Sequence, residues 1–550
     1  MSVLELTGPL LRLHPEDPVA VARHDLAPGE PLTGDERPLL TREPIPSGHK
    51  VALRTIEEGQ PVHKYGQVIG AATRRILAGE HVHDHNLISP SRRLALPSSA
   101  GSDAVSSDAV GSGAAGSGAI ASSGPPVAHP VLAPARPAAP TSPTRTGAVP
   151  TFAGLVRPDG RVGTRNYVAV LSTVNCSATV VRRIASAFSA PGALDEYPGV
   201  DGVMAITHPS GCGLSRDGEG FDLLRRTLTG YARHPNVGGV VVVGLGCEVN
   251  QVSALVDQFD LAPGIPVEHL TIQHLGGTAA TIRAGVQAVR ELLPIAGDVQ
   301  RTQVPVSELV LGLNCGGSDA WSGASANPVL GAAVDRLVAA GGTAVLGETP
   351  EIHGAEHLLT SRAVSPEVAS RLLDRVAWWE HYAAADGGNL DNNPSPGNRA
   401  GGVTTIEEKS LGAVAKGGSS PLTAVYDYAE PVTEPGLVFM DTPGYDPVSV
   451  TGIVAGGATV VCFTTGRGSV FGCKPSPSLK LATTEDLYQR MTDDMDFNCG
   501  PVLDGRASID ELGEALWREI IEVASGRPTK SEELDFGDEE FNPWQLGSVL

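Results

Sequence analysis

The sequence predicts an α/β protein: a small N-terminal β domain, a flexible linker, and two successive α/β units with mainly parallel sheets. Three observations lead to this prediction. The chain starts with short apolar segments between glycine turns, continues with a stretch almost free of large apolar side chains, and then repeats apolar run, polar turn and helical pattern. We expect domains at 1–98, 148–300 and 301–550, with the linker at 99–147.

The N-terminal β domain is indicated by strand-like segments such as HKVALRTI and QVIGAATRRI. Turn signals separate these segments at Pro28-Gly29, Ser47-Gly48, Glu58-Gly59 and Ala78-Gly79. This spacing suits a compact β-clip or a small barrel.

The linker consists mostly of Ala, Ser, Gly and Pro. Such a composition cannot bury enough apolar surface to offset the entropy lost when a chain is ordered. We therefore expect residues 99–147 to be flexible and the β domain to be a separate folding unit.

The two α/β units are indicated by apolar runs that end in polar, glycine-containing turns. Runs of Val, Ile and Leu without alternation are typical of parallel strands that helices cover on both faces. The runs are 167–176, 201–213, 238–248, 308–317, 342–351, 436–446 and 458–468.

Charge and composition exclude several classes of partner. The formal net charge is -22, so the surface repels nucleic acid and anionic membranes. No apolar run approaches the roughly 20 residues that span a bilayer, and the N-terminus does not resemble a secretory signal. Seven cysteines are too few for a disulfide framework, which indicates reduced thiols and a cytoplasmic protein. The sequence leaves open whether the chain forms a homo-oligomer.

Four cysteines follow predicted strands, where ligands bind in open parallel sheets. They are Cys176, Cys212, Cys247 and Cys315. Each precedes a predicted helix start, which favours the thiolate, and thiolates on separate loops can converge on one metal. The alternative is that each cysteine packs as a small apolar side chain.

A histidine cluster lies in the β domain. On an extended segment His81, His83 and His85 point to one face, since side chains alternate along a strand. They could bind a divalent metal or serve as acid and base, whereas the alternative is a solvated turn. The nearby His49, with Lys50 and Lys64, could bind a substrate carboxylate.

Two polar, glycine-rich passages complete the candidate site. Residues 393–410 carry backbone donors and charged side chains of the kind that line binding sites. Residues 464–469 follow a predicted strand and include Arg467 and Ser469. Arg467 could bind a carboxylate bidentately. The phosphate-loop and dinucleotide-binding patterns are both missing from the sequence, so neither chemistry is supported.

Sequence motifs along nearly all of the chain outside the linker resemble those of the altronate/galactarate dehydratase family. In the large region they are 160–166, 207–212, 244–248, 314–319, 326–328, 348–351, 393–409, 441–446 and 464–469. In the β domain, residues 48–50, 64–66 and 79–86 resemble the family's SAF-type domain. The resemblance implies a β-clip SAF domain, α/β domains, and iron-dependent dehydration of a C6 sugar acid.

Dehydration of a sugar acid such as D-altronate would give a 2-keto-3-deoxy acid. A base must remove the C2 proton, and a cation on the carboxylate must stabilise the charge that develops. We expect iron in this role, as Fe²⁺ or an iron–sulfur cluster, with Mn²⁺ as a substitute. The candidate catalytic residues are His83, His85, Glu348, Glu351 and Lys409. The candidate metal ligands are Cys176, Cys212 and Cys315, and the candidate substrate-binding residues are His49, Lys50, Lys64, Arg467 and Ser469.

Three other functions stay open. The chain could be a galactarate dehydratase, or a carbon–sulfur lyase of the sulfolactate sulfo-lyase type, which acts on a sulfonated acid. It could also be a carbohydrate-binding protein without catalytic activity. In each case the expected partner is a small acid.

Overall fold

The structure is a computed structural model that describes residues 5–32, 39–89, 149–261, 264–385 and 387–547. The predicted linker at 99–147 lies outside these residues.

The β domain is built from short antiparallel strands. The strands are β1 (Glu5–Thr7), β2 (Leu10–Arg12), β3 (Val19–Ala22), β4 (Pro31–Leu32), β5 (Leu39–Leu40), β6 (Lys50–Ala52), β7 (Pro61–Lys64), β8 (Gln67–Ala72), β9 (His81–Val82) and β10 (Leu87–Ile88). The sheets have the orders β1-β2-β3-β6-β9, β10-β8-β7 and β4-β5. The four predicted turn glycines all have positive φ, between +80° and +86°, which explains why glycine occupies these positions.

The first α/β region combines a parallel and an antiparallel sheet. The strands are β11 (Thr151–Val156), β12 (Val162–Gly163), β13 (Tyr167–Ser172), β14 (Gly202–Ile206), β15 (Val237–Gly244), β16 (Val267–Thr271) and β17 (Arg301–Pro305). The parallel sheet has the order β14-β13-β15-β16, and the antiparallel sheet β12-β11-β17. The α-helices are Ala178–Ala185, Glu219–Ala232, Val252–Phe259 and Thr278–Ala296.

The second α/β region contains a seven-stranded parallel sheet. Its strands are β18 (Val310–Cys315), β19 (Thr343–Leu346), β20 (Leu422–Tyr426), β21 (Gly436–Met440), β22 (Val460–Thr465), β23 (Ser478–Ala482) and β24 (Phe497–Asn498). They are arranged in the order β20-β21-β19-β18-β22-β23-β24. The α-helices are Ala326–Ala339, His357–Thr360, Pro366–Ala385, Pro396–Ala400, Ile406–Val414, Asp446–Ala455, Glu485–Arg490, Ile509–Ala524 and Lys530–Glu533.

The three regions share continuous apolar cores. Ile69 of the β domain belongs to the same buried cluster as Leu313 and Leu411 of the second α/β region. A second cluster joins Leu228 of the first α/β region to Phe463 of the second. The β domain is therefore packed against the large region, and its side chains can contribute to a shared site.

The predicted fold class is confirmed, and all seven predicted apolar runs contain parallel strands. The antiparallel sheet around β11 was not predicted, because its strands are short or partly exposed and lack a long apolar run. Among the described residues, no helix combines the length and apolar character needed to cross a membrane.

Candidate active site

Polar side chains gather where β18, β19 and β21 end. Cys315 is the last residue of β18, and Glu348 and Glu351 lie in and beside the 3₁₀ helix Thr349–Ile352 that follows β19. Asp446 begins the helix after β21, and its carboxylate accepts a hydrogen bond from Asn314 Nδ2 at 3.0 Å. These parallel strands end at the same edge of one sheet, which brings the side chains together.

Two buried lysines neutralise the two glutamates of this edge. Lys416 Nζ lies 2.5 Å from Glu348 Oε2, and Lys409 Nζ lies 2.6 Å from Glu351 Oε1. Glu348 Oε1 is buried and has no hydrogen-bond partner in the part of the chain that the structure describes. Glu348 also has a φ of +66°, a left-handed conformation that costs a non-glycine residue energy and often marks a functional site.

The buried edge shifts the pKa values of its acids. Burial, helped by the charge of Glu348, raises the pKa of the Cys315 thiol to about 12. Burial and the two glutamates raise the pKa of Asp446 to about 8. Both groups therefore carry their proton at neutral pH, and Asp446 can act as a proton donor.

A second cluster consists of three imidazoles of the β domain. His49, His81 and His83 each place a ring nitrogen within 4.8 Å of those of the other two. His49 Nδ1 and His81 Nε2 are 2.9 Å apart, close to the spacing of two ligands at right angles on one ion with bonds of about 2.1 Å.

The histidine cluster is neutral at physiological pH. Burial and the neighbouring imidazoles lower the pKa of His81 to about 3, and burial with the charge of Lys50 lowers that of His83 to about 4. Neutral imidazole is the form that binds metals.

The prediction of an extended segment was wrong beyond Val82, because the Asn86 side chain accepts a hydrogen bond from the His83 N–H and closes a turn. The exposed His85 ring still packs 5.2 Å from that of His81.

Lys50 and Lys64 share one buried carboxylate. Lys50 Nζ and Lys64 Nζ lie 2.9 and 2.8 Å from the Glu408 oxygens. Burial alone would raise the pKa of Glu408, but the two ammonium groups hold it at about 2. Both predicted substrate-binding lysines therefore have a partner inside the protein and connect the β domain to the helix Ile406–Val414.

The helix Ile406–Val414 connects the two clusters. Thr405 caps it by accepting from the Glu408 N–H at 3.2 Å. The preceding Thr404 hydroxyl lies 2.7 Å from Lys50 Nζ and 3.3 Å from His83 Nδ1. The next residue after Glu408 is Lys409, which pairs with Glu351, so the start of this helix and the preceding Thr404 together contact both clusters.

A cleft of about 980 Å³ opens between the β domain and the second α/β region. Ser47, Asp319, Ala400 and the exposed Arg467 line it. His49 Nε2 lies 3.3 Å from the Ala400 carbonyl oxygen, so the histidine cluster adjoins the wall of the cleft. Ser469 accepts from the Phe471 N–H at 3.1 Å and is not among the lining residues.

Asp319 lines both this cleft and an enclosed cavity of about 10 Å³. The enclosed cavity also contacts Cys315, Glu408 and Lys409. Burial raises the pKa of Asp319 to about 6, although its oxygens accept hydrogen bonds from Ser322 and Thr483. A carboxylate with such a pKa suits a general base.

Family models match three consecutive stretches of the chain. The altronate/galactarate dehydratase SAF domain matches residues 9–90. The second domain of D-galactarate dehydratase/altronate hydrolase matches 154–297, and the C-terminal region of D-galactarate/altronate dehydratase matches 306–549. Altronate dehydratase of Bacillus subtilis is 32% identical over 96% of this chain and 97% of its own length.

The chain belongs to the altronate/galactarate dehydratase family.

Other relatives agree with this assignment. Altronate dehydratase of Escherichia coli is 34% identical over 96% of this chain and 97% of its own length. The L-threo-forming galactarate dehydratase of the same organism is 35% identical over 88% of this chain and 87% of its own length. This dehydratase-family chain therefore matches these relatives over most of their lengths.

Within the described part of this dehydratase-family chain, two donor sets could hold a metal: the histidine cluster, and Cys315 with Glu348 and Glu351. The second set already faces the ammonium groups of Lys409 and Lys416, which oppose a dication. Three neutral imidazoles suit iron and zinc, and the nearby Lys50 ammonium contacts Thr404 and Glu408 instead of a ring nitrogen. The histidine cluster is thus the better fit for the iron that the resemblance implies.

The predicted cysteine ligands lie in two different places. Cys315 is buried at the end of β18, whereas Cys176 and Cys212 are exposed on loops of the first α/β region. The prediction grouped them because all follow apolar runs, but the runs belong to two separate sheets.

Several site residues were missing from the sequence-based candidates. Asp319 ended a recognised motif but was assigned no role, and Glu408 stood beside Lys409 in the polar passage. Asp446 also closed a motif. Lys416 carried no signal, because its partner Glu348 is 68 residues away in the chain.

Proposed function

We propose that this protein is a metal-dependent hydro-lyase that converts a sugar acid, such as D-altronate or galactarate, into a 2-keto-3-deoxy acid. The observation that carries the proposal is the neutral cluster of His49, His81 and His83, held by the β domain against the wall of the cleft. Family membership over the full chain supports the reaction class.

Substrate binding is assigned to the cleft. The exposed Arg467 guanidinium offers a planar pair of donors for a carboxylate. Its backbone N–H donates to the Gly317 carbonyl at 2.9 Å, which fixes the residue beside the loop that carries Asp319. A ferrous ion at the three histidines would polarise the substrate carboxylate and so make the C2 proton more acidic.

Proton transfer is assigned to two aspartates with raised pKa values. Asp319, with a pKa of about 6, would take the C2 proton as an ionised base. Asp446, with a pKa of about 8, would give its proton to the departing C3 hydroxyl. We prefer these to Glu348, Glu351 and Lys409, which are held in buried ion pairs. Of the predicted histidines, His83 is assigned to the metal, and His85 is the remaining candidate for the base.

The experiment is turnover under anaerobic conditions with ferrous iron, using a panel of aldonic and aldaric acids together with sulfolactate. We expect a 2-keto-3-deoxy acid from at least one sugar acid and no sulfite. Sulfite release from sulfolactate with no keto-deoxy acid from any sugar acid would reject dehydration. Failure of all substrates with iron-loaded protein would instead favour a binding protein.

A carbon–sulfur lyase is the second candidate. Subunit beta of the (2R)-sulfolactate sulfo-lyase of Chromohalobacter salexigens is 35% identical over 71% of this chain and 96% of its own length. Subunit alpha of that enzyme is 42% identical over 65 residues. The dehydratases match a larger share of this chain, which favours loss of water over loss of sulfite.

We further propose a cytoplasmic location. All seven cysteines are free, which suits a reducing compartment.

A further inference from the structure

The cysteines divide into two groups. Cys315, Cys462, Cys473 and Cys499 are buried, whereas the other three are exposed. Unpaired cysteine is among the residue types most often found in protein interiors, so three exposed thiols in one chain call for an explanation. The exposed thiols are Cys176, Cys212 and Cys247.

The exposed thiols lie at one edge of one sheet. Each is on the loop that follows one of β13, β14 and β15, which are neighbours in the order β14-β13-β15. The carboxyl ends of neighbouring parallel strands meet at the same edge, where ligands bind. None of these thiols lines the cleft assigned to the substrate.

Hydrogen bonds hold the three loops together. The Asn175 N–H donates to the Ser210 carbonyl at 2.9 Å and ties the first loop to the second. Asn250 Nδ2 donates to the Thr173 carbonyl at 3.1 Å and ties the third loop to the first. A Cβ atom on Gly211 would lie 2.3 Å from the Thr173 oxygen, so the close approach of the first two loops requires glycine.

Buried polar groups beneath the loops make the arrangement rigid. Glu248, next to Cys247, accepts hydrogen bonds from the Thr173 hydroxyl at 2.8 Å and the Gly246 N–H at 2.6 Å. The amide oxygen of the buried Asn250 has no hydrogen-bond partner among the described residues. Such a group beneath three exposed thiols is what a ligand-binding site, rather than a plain surface, contains.

We propose that Cys176, Cys212 and Cys247 are the thiolate ligands of an iron–sulfur cluster, with one iron left without a protein thiolate. Each thiol loses its proton on binding. This set replaces the predicted one, with Cys247 in place of the buried Cys315.

The exposed thiols do not form one of the close donor sets that a single ion requires. Among the described residues, the groups of three potential ligands with donor atoms within 4.8 Å of one another are the histidine cluster and the Cys315 set. Thiolates around one tetrahedral ion lie about 3.8 Å apart when each bond is about 2.3 Å. The three exposed thiols are not among these groups, so we assign each to a different iron of a sulfide-bridged cluster and not to one shared ion.

The test is reconstitution of the whole protein with equal amounts of ferrous and ferric iron and with sulfide, under anaerobic conditions. We expect about four acid-labile sulfides per chain, as in a four-iron cluster, with the broad visible absorption of sulfide-bridged iron. Cys176→Ser, Cys212→Ser and Cys247→Ser should each reduce the bound sulfide to background. Ser215→Ala, an exposed change on the loop of Cys212, should retain it.

Because the three thiols are exposed, the serine variants should unfold at the same temperature as the cluster-free wild type, which separates loss of ligand from loss of fold. Iron bound without sulfide, or sulfide retained by any of the three serine variants, would overturn the proposal. Absence of bound sulfide in a wild type that still forms keto-deoxy acid would reject the cluster and leave the proposed dehydration intact.

Discussion

At the scale of single residues, the site is defined by ionisable groups whose pKa values are moved toward neutrality or whose charge is cancelled. Lysines cancel the charges of Glu348, Glu351 and Glu408. Among the described residues no lysine forms an ion pair with Asp319 or Asp446, and burial raises their pKa values to about 6 and about 8. The ion pairs shape the candidate site, and the two aspartates are the groups proposed to transfer protons.

The first prediction concerns Asp319. If it is the base, kcat/KM should rise with pH through about 6, because only the ionised carboxylate accepts a proton. Asp319→Asn should lower kcat about 10²–10⁴-fold and abolish this limb of the pH profile. Asp486→Asn, an exposed carboxylate of the same cleft, is the control. An unchanged acidic limb in Asp319→Asn would assign the base elsewhere.

At the scale of elements, the helix Ile406–Val414 organises the site, since Glu408 contacts the β domain and Lys409 contacts Glu351. Its partners come from distant parts of the chain: Lys64 and Glu408 are 344 residues apart. A sequence pattern reports local periodicity, so it predicted the parallel strands from their apolar runs. It could not predict which lysine would pair with which carboxylate, and it therefore assigned Lys50 and Lys64 to the substrate.

The second prediction concerns Glu408. Glu408→Gln leaves the buried Lys50 and Lys64 without a counter-charge, which should cost about 3–5 kcal/mol. Urea denaturation, with protease sensitivity of the β domain as the probe, should show this loss. Glu57→Gln, which breaks the exposed pair with Arg75, should cost less than about 1 kcal/mol. Equal effects of the two changes would mean that the buried pair does not hold the β domain in place.

The third prediction concerns His234, which joins the two α/β regions through a 3.0 Å hydrogen bond between its Nε2 and the Ala458 carbonyl. Burial lowers its pKa from 6.5 to about 3. The unfolded chain therefore binds more protons between these values, and stability falls as pH drops below 6.5. From pH 7.5 to 5, this histidine should account for a loss of about 2 kcal/mol.

The measurement is the unfolding free energy of the wild type and His234→Gln at the two pH values. The variant should be less stable at pH 7.5, but it should lose about 2 kcal/mol less on acidification. The exposed His269→Gln serves as the control. If the wild type and His234→Gln lose equal stability, the histidine is not buried in its neutral form.

At the scale of the whole molecule, the proposed active site is shared between the β domain and the large region. Residues of the β domain and of the second α/β region line the cleft, and Arg23 of the β domain pairs with Asp504 at 2.9 Å.

The fourth prediction is that residues 1–98 and 148–550, produced as separate chains, bind each other and recover metal and turnover. Glu408→Gln should weaken the complex. Failure of the intact pieces to associate would mean that the contacts described are too weak to hold the domain without the tether.

The central claim is that the imidazoles of the β domain hold the catalytic iron. The most direct measurement is the amount of iron that His81→Ala and His85→Ala bind without acid-labile sulfide, when both are purified without oxygen. Turnover is measured on the same samples. His81→Ala should lose this iron and its turnover together, while the folded protein persists. His85→Ala should keep the iron, because His85 lies outside the set of close ring nitrogens. Full iron content and turnover in His81→Ala would contradict the account.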